Sequence, residues 1–166
     1  MKSENKKKLI YSSLIVTIIF FLDRLSKIYV LSILEINGSV DIFVTKYLNI
    51  YLIWNEGIAF GLLSFDHNST YNLVTTLIAI ISIIVLVLIK KTNDIRFYFY
   101  SLVFGGAVGN LFDRLYYTAV PDFIDLHINS YHWFIFNVAD IFITIGVLLL
   151  ILVELIFNKS LNNEKK

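Results

Sequence analysis

Long apolar runs separated by short polar clusters dominate this chain. Four of them have the length that a hydrocarbon core of about 30 Å demands, roughly 20 residues at a rise of about 1.5 Å each. They cover approximately residues 9–30, 71–89, 97–115 and 138–157. The pattern predicts a mainly α membrane protein with four transmembrane helices, and residues 1–166 as a single integral-membrane domain. Between the first and second runs, VDIFVTKYLNIYLIW (40–54) alternates apolar with polar or aromatic residues in the manner of β-strands. That alternation predicts a small extracytoplasmic β-sheet cradle between the first and second helices, its Tyr and Trp residues at headgroup level.

Composition agrees with this picture. The chain is 57% hydrophobic, has a mean hydropathy of +0.73 and contains one proline, which is far from the usual make-up of a soluble domain of 166 residues. MKSENKKK followed by an apolar run resembles a secretory leader, but the run continues into DRLSK without a small-residue cleavage site, so it reads as an uncleaved span. The absence of cysteine removes disulfides, thiolate metal sites and a Cys nucleophile together.

Charge placement orients the spans. Lys2, Lys6, Lys7 and Lys8 precede the first, Lys90, Lys91 and Arg96 fill the turn between the second and third, and Lys159, Lys165 and Lys166 follow the fourth. The other two connections, about 32–70 and 116–137, contain only Lys46. The positive-inside rule then puts both termini in the cytoplasm and both long loops outside.

Four polar clusters converge on that outer rim: WNEGIAF (54–60), GNLFDRL (109–115), PDFID (121–125) and FNVAD (136–140). Ionisable residues at a membrane are costly and are functional candidates by default. In FNVAD, Asn137 is a natural N-cap and Asp140 could complete a capping box and complement the helix dipole. The other reading pairs Asp140 with Asp122, held in a proline-entered loop that folds back over the same rim. Two carboxylates sharing a water can divide one proton, one acting as base and the other as acid. Asp125, the second acid of PDFID, reads as loop or sheet chemistry.

In GNLFDRL, Asn110 and Arg114 lie four apart on one helix face, an arrangement that can hold a peptide backbone. Asp113 reads either as part of that site or as a local ion pair with Arg114 that anchors the helix end. Gly105 and Gly109 have the small-xxx-small spacing of close helix packing. Asn55 and Gly57 read as a turn, with Ala59 and Phe60 returning toward the membrane. The segment GLLSFDHNST (61–70) is a connector or a cover over substrate. Asp23, Arg24 and Lys27 can be explained as snorkelling, paired charges near the outer end of the first span. His67, His127 and His132 are spaced too irregularly to suggest zinc.

The ordered set Asp23…Lys27, NEGIAF, GNLFDR, PDFID and FNVAD resembles the signal peptidase II family, the globomycin-sensitive lipoprotein signal peptidases of bacterial membranes, over essentially the whole chain. The resemblance implies an aspartyl endopeptidase that removes the signal peptide immediately before a diacylglyceryl-modified cysteine. It implies Asp122 and Asp140 as catalytic acids, Asn55, Asn110, Arg114 and Asn137 as cleft residues that meet substrate, and Asp23, with Lys27, Gly57, Asp113 and Ala139, as supporting positions. The partners expected are a lipid-modified prolipoprotein and membrane lipids, for a monomer in the bacterial cytoplasmic membrane that uses no cofactor, metal or nucleic acid. Two other classes fit the composition. An ion-coupled transporter would carry its acids near the midplane and show repeated halves, neither of which the sequence displays. A scaffold binding partners through its outer loops would use the same polar residues only as caps and turns.

Overall fold

A computed structural model describes residues 2–57, 68–129 and 131–163. Helix α1 (Lys2–Asn37) is followed by strands β1 (Asp41–Thr45) and β2 (Leu48–Asn55), helices α2 (Asn68–Lys91) and α3 (Arg96–Tyr117), strands β3 (Val120–Ile128) and β4 (Tyr131–Phe136), and helix α4 (Val138–Asn163). Each apolar run lies within a helix that overshoots it, because polar flanks such as SENKKK also favour helix. Residues 58–60 of NEGIAF, most of the connector 61–70 with His67, and Lys165 and Lys166 lie outside the described residues.

The helices are apolar on the outside. Leu14, Phe21, Leu25, Leu77, Ile84, Leu148, Ile151 and Leu155 are all about half exposed or more, the inverse of a soluble bundle. Among the described residues, two helical segments, Tyr71–Lys91 and Val138–Phe157, are long and apolar enough to cross a membrane on composition alone. In α1 and α3 the apolar run is interrupted by Asp23, Arg24 and Lys27 and by Asp113 and Arg114, all buried.

Helix α3 is the centre of the bundle and packs against α1, α2 and α4. Its glycines explain how closely. A Cβ on Gly105 would meet Ile19 of α1 at 3.0–3.1 Å, one on Gly106 would run into the Ala139 carbonyl oxygen of α4, and one on Gly109 would lie 2.8 Å from Asp23 Oδ2. The small-residue stripe therefore serves two interfaces, and Gly106, outside the anticipated spacing, makes the tighter contact with α4.

The sheet is larger than the alternation in the first loop suggests. Its order is β1-β2-β3-β4, entirely antiparallel, so β3 and β4, between α3 and α4, contribute half of it. PDFID accordingly lies in a strand and not in a loop. The period of two is hidden in VPDFIDLHI because the first half of β3 is covered on both faces, with Val120, Pro121, Asp122 and Phe123 all buried, and Asp125 and His127 occupy the buried positions of the half that alternates. Pro121 is tolerated because β4 begins to pair with β3 only at Ile124. A core of Val30, Val40 and Phe123, ringed by Ile33, Leu34, Ile50, Leu52, Ile124 and Val138, fixes the sheet to the end of α1 and the start of α4.

Candidate active site

Chain reversals bring the polar clusters together. Helix α3 ends at Thr118, which takes the left-handed conformation (φ 59°, ψ 12°) and turns the chain into β3. Register with β2 sets Asp122 opposite Ile53, two residues before Asn55. From β4 the chain passes through Asn137 into α4.

Asn137 joins the two acids. Its side-chain amide nitrogen donates to Asp122 Oδ1 at 2.6 Å, and its backbone N–H donates to Asp140 Oδ2 at 3.2 Å. Its Oδ1 accepts the backbone N–H of Asp140 at 3.1 Å. The capping box read from FNVAD is thus formed, and the same Asn137 also bonds Asp122. Asp122 Oδ2 accepts the Asn55 amide at 2.8 Å, while Asn55 Oδ1 takes the N–H of Gly57 at 2.9 Å. Asp140 Oδ1 accepts the Asn110 amide at 2.8 Å. Each carboxylate oxygen therefore has one N–H donor, and one lone pair remains on each for a water or a shared proton.

Behind this pair lies a buried ionic group. Lys27, with no solvent exposure, donates to Asp23 Oδ2 at 2.8 Å, Asp113 Oδ2 at 2.6 Å and Asn110 Oδ1 at 3.0 Å. Arg24 bonds Asp113 from its other side, and Asp23 Oδ1 accepts the backbone N–H of Ala139 at 3.0 Å. Two readings need correction. Asp113 pairs with Lys27 and Arg24 of α1 and not with its neighbour Arg114. Asp23, Arg24 and Lys27 do not snorkel; α1 continues ten residues beyond Lys27 to Asn37, so these charges lie well inside the helix. The contact of Lys27 with Asn110 Oδ1 fixes which way that amide points, and so aims its N–H₂ at Asp140.

Arg114 donates to the carbonyls of Gly57 and Glu56, and its backbone carbonyl accepts the Tyr71 hydroxyl at 2.6 Å. The Arg114 guanidinium also lies 5.5 Å over the Tyr71 ring. Tyr71 carries no sequence signal, since it reads only as the first residue of an apolar run. A cavity of about 280 Å³ opens on this site, polar at Asn55, Asn110, Arg114, Asp122, Asn137 and Asp140 and apolar along Ile78, Ile81, Val103, Ala107 and Ile143. The apolar wall comes from α2, α3 and α4, and these positions are indistinguishable from lipid-facing ones in the sequence.

The surroundings of Asp122 favour its protonated form. Burial, followed by the nearby Asp140 carboxylate, pushes Asp122 up to about 7, against the opposing effect of the Asn55 and Asn137 hydrogen bonds and Lys27. A carboxyl group with such a value can hold a proton near neutral pH and so can serve as an acid.

The model of a known protein family, signal peptidase (SPase) II, matches residues 15–157. The chain belongs to the signal peptidase II family. It is 52% identical over 165 residues to a lipoprotein signal peptidase of Pelagibacter ubique (strain HTCC1062), with 99% of each chain covered. It is 38% identical over 156 residues to that of Anaplasma phagocytophilum (strain HZ), covering 94% of this chain and 99% of the relative. Among solved structures it is similar to a bacterial membrane enzyme determined by the in meso method at 2.3 Å resolution, with a TM-score of 0.69, 30% identity and 90% of each chain covered. Signal peptidase II is an aspartic peptidase that cleaves signal peptides from prolipoproteins, and that is the activity of this chain.

Proposed function

We propose that Asp122 and Asp140 are the hydrolytic pair and that they cut immediately before a diacylglyceryl-modified cysteine at the outer face of the bacterial cytoplasmic membrane. The observation that carries this reading is the bridge through Asn137, whose side chain and backbone contact one acid each at the polar end of the cavity. In the resting state Asp122 holds the shared proton and the negative charge lies on Asp140, at the positive end of the α4 dipole. Asp140 takes a proton from water as its oxygen attacks the carbonyl carbon of the residue before the cysteine. Asp122 gives its proton to the departing amine as the C–N bond breaks. The proton gained by Asp140 then returns to Asp122, and no covalent enzyme intermediate forms.

Arg114 and Asn110 hold the substrate backbone in this scheme. Arg114 already binds two of the chain's own peptide carbonyls, and its Nε is buried with no partner among the described residues, a donor suited to a third. The apolar wall of Ile78, Ile81 and Ile143 suits the hydrophobic part of a signal peptide. The groove beside Asp140 lined by Phe134, Phe136, Ile141 and Ile145 suits the acyl chains. All four helices cross the membrane in this reading, as one peptidase domain acting as a monomer among membrane lipids. The termini are cytoplasmic and the sheet lies outside.

The test uses purified protein with a diacylglyceryl-modified prolipoprotein and its unmodified twin. Cleavage of only the lipidated precursor is expected, with Asp122→Asn and Asp140→Asn each folded and at least about 100-fold slower. Substantial activity in either variant removes the dyad assignment.

A further inference from the structure

A second cluster of chemistry-bearing side chains lies on the β3–β4 hairpin, outside the machinery described above. Asp125 and His127 are two apart on β3, so their side chains share a face, and both are buried. Asp122, three residues before Asp125, belongs to the opposite face. The third member, His132, arrives through an irregularity of the ladder. Leu126 pairs with Phe134 but His127 pairs with His132, so β4 holds one extra residue between them. In a regular ladder Trp133 would stand opposite His127. The bulge replaces it with a histidine, the kind of re-aiming that bulges provide near sites.

The geometry points to a divalent cation site, and we propose that Asp125, His127 and His132 bind Zn²⁺. Their ligand atoms lie within 4.8 Å of one another. His132 Nδ1 is 2.8 Å and His127 Nδ1 3.6 Å from Asp125 Oδ2. Tetrahedral ligands at about 2.1 Å from zinc stand roughly 3.4 Å apart, so the ion would replace the 2.8 Å hydrogen bond between His132 Nδ1 and Asp125 Oδ2, and the His132 side chain, 54% exposed, has room to shift by the few tenths of an ångström this takes. A second, independent observation favours a ligand. Asp125 Oδ1 and His127 Nδ1 are both buried without a hydrogen-bond partner, on side chains 1% and 8% exposed. A cation at Asp125 Oδ2 gives His127 Nδ1, 3.6 Å from that oxygen, a partner that no described protein group provides. Two imidazoles and one carboxylate suit zinc better than calcium or magnesium, which prefer oxygen ligands, and water would take the fourth position. Zinc here clasps the hairpin whose strands deliver Asp122 and Asn137 to the peptidase site; it takes no part in hydrolysis.

The experiment uses the full chain in detergent, purified on a tag free of histidine, stripped with chelator and titrated with Zn²⁺ by calorimetry and with Co²⁺ by visible absorption. One Zn²⁺ per chain is expected, with a rise in Tm on adding zinc and a tetrahedral Co²⁺ spectrum. His132→Gln, at an exposed position and with a side chain that can still donate to Asp125, is expected to weaken binding at least about 100-fold and to abolish the Tm rise. His132→Cys is expected to restore binding, and His67→Gln to bind as the parent does. Absence of saturable binding to folded parent protein overturns the proposal, as does parental affinity in both His132→Gln and His127→Gln.

Discussion

Asn137 is hydrogen-bonded to both acids, so its removal separates two effects that the acids themselves confound. Asp122 is raised to about 7 by burial and by Asp140, while the Asn137 amide pulls it back. The mixed state of the pair therefore persists as pH rises until Asp122 loses its proton, and kcat/KM is expected to fall above about pH 7. Asn137→Ala removes a donor that favours the ionised form. Its alkaline limb should move to higher pH, alongside a loss of about 1 kcal/mol from the missing cap. A pH profile of both proteins checks the direction; an unmoved limb would mean that Asp122 does not control it. Stability follows the same sign. The folded-state value lies above the ordinary carboxyl value of about 3.9, so the folded protein binds more protons between about pH 4 and 7. The contribution of Asp122 is full below that window and is lost as pH rises through it, and Asp122→Asn should flatten this slope.

At the scale of elements, α3 sets the site by how near it lies to its neighbours. Gly106→Ala places a methyl group against the Ala139 carbonyl and Ile143. Helix α4 must then move, taking Asp140 with it, and the expected result is both a lower Tm and a lower kcat. Gly38→Ala is the contrasting case. Gly38 has φ of +74° at the end of α1 with open space around it. The substitution should cost about 1 kcal/mol of strain and leave kcat unchanged. Thermal melts and turnover numbers for the two variants distinguish packing from backbone strain. The charged layer between α1 and α3 gives a third expectation. Lys27→Met leaves Asp23 and Asp113 to share Arg24 as their one cation among the described residues, at a cost of about 3–5 kcal/mol. It also frees the Asn110 amide to turn from Asp140, so kcat should fall in the fraction that folds.

The helices wear apolar residues outside and bury the Asp23, Arg24, Lys27, Asp113 and Arg114 charges within, and the orientation of the chain in a bilayer can be measured cleanly because it has no cysteine. Single cysteines at Lys46, in the turn between β1 and β2, and at Thr92, between α2 and α3, should react with an impermeant thiol reagent from opposite sides of the membrane. Lys46→Cys is expected to label in intact cells and Thr92→Cys only after lysis. Labelling of both from one side would invalidate the topology derived from the lysines. The Thr92 end is tied down by Lys8, whose ammonium donates to the carbonyls of Lys90 and Thr92 at 2.9 and 3.0 Å and to Asn93 Oδ1 at 3.1 Å. One residue of the basic leader thus caps the end of α2, where the helix dipole is negative.

The sequence by itself determined the helices, since runs of about 20 apolar residues have few alternatives to helix once backbone groups must be satisfied internally. It also determined the family and the candidate acids, because motifs such as FNVAD and GNLFDR are short and keep their order. Tertiary structure decided the rest. Only the register of β2 against β3 brings Asn55 within hydrogen-bond reach of Asp122, only the approach of α1 to α3 turns Lys27 from a snorkelling cation into the group that orients Asn110, and only a one-residue bulge in β4 brings His132 to His127. Each depends on the pairing of segments distant in the chain, for which local periodicity carries no signal. The first half of β3 is buried on both faces and loses the alternation that would announce a strand, while β4 is aromatic or apolar at every position but His132, so this half of the sheet has no local signature.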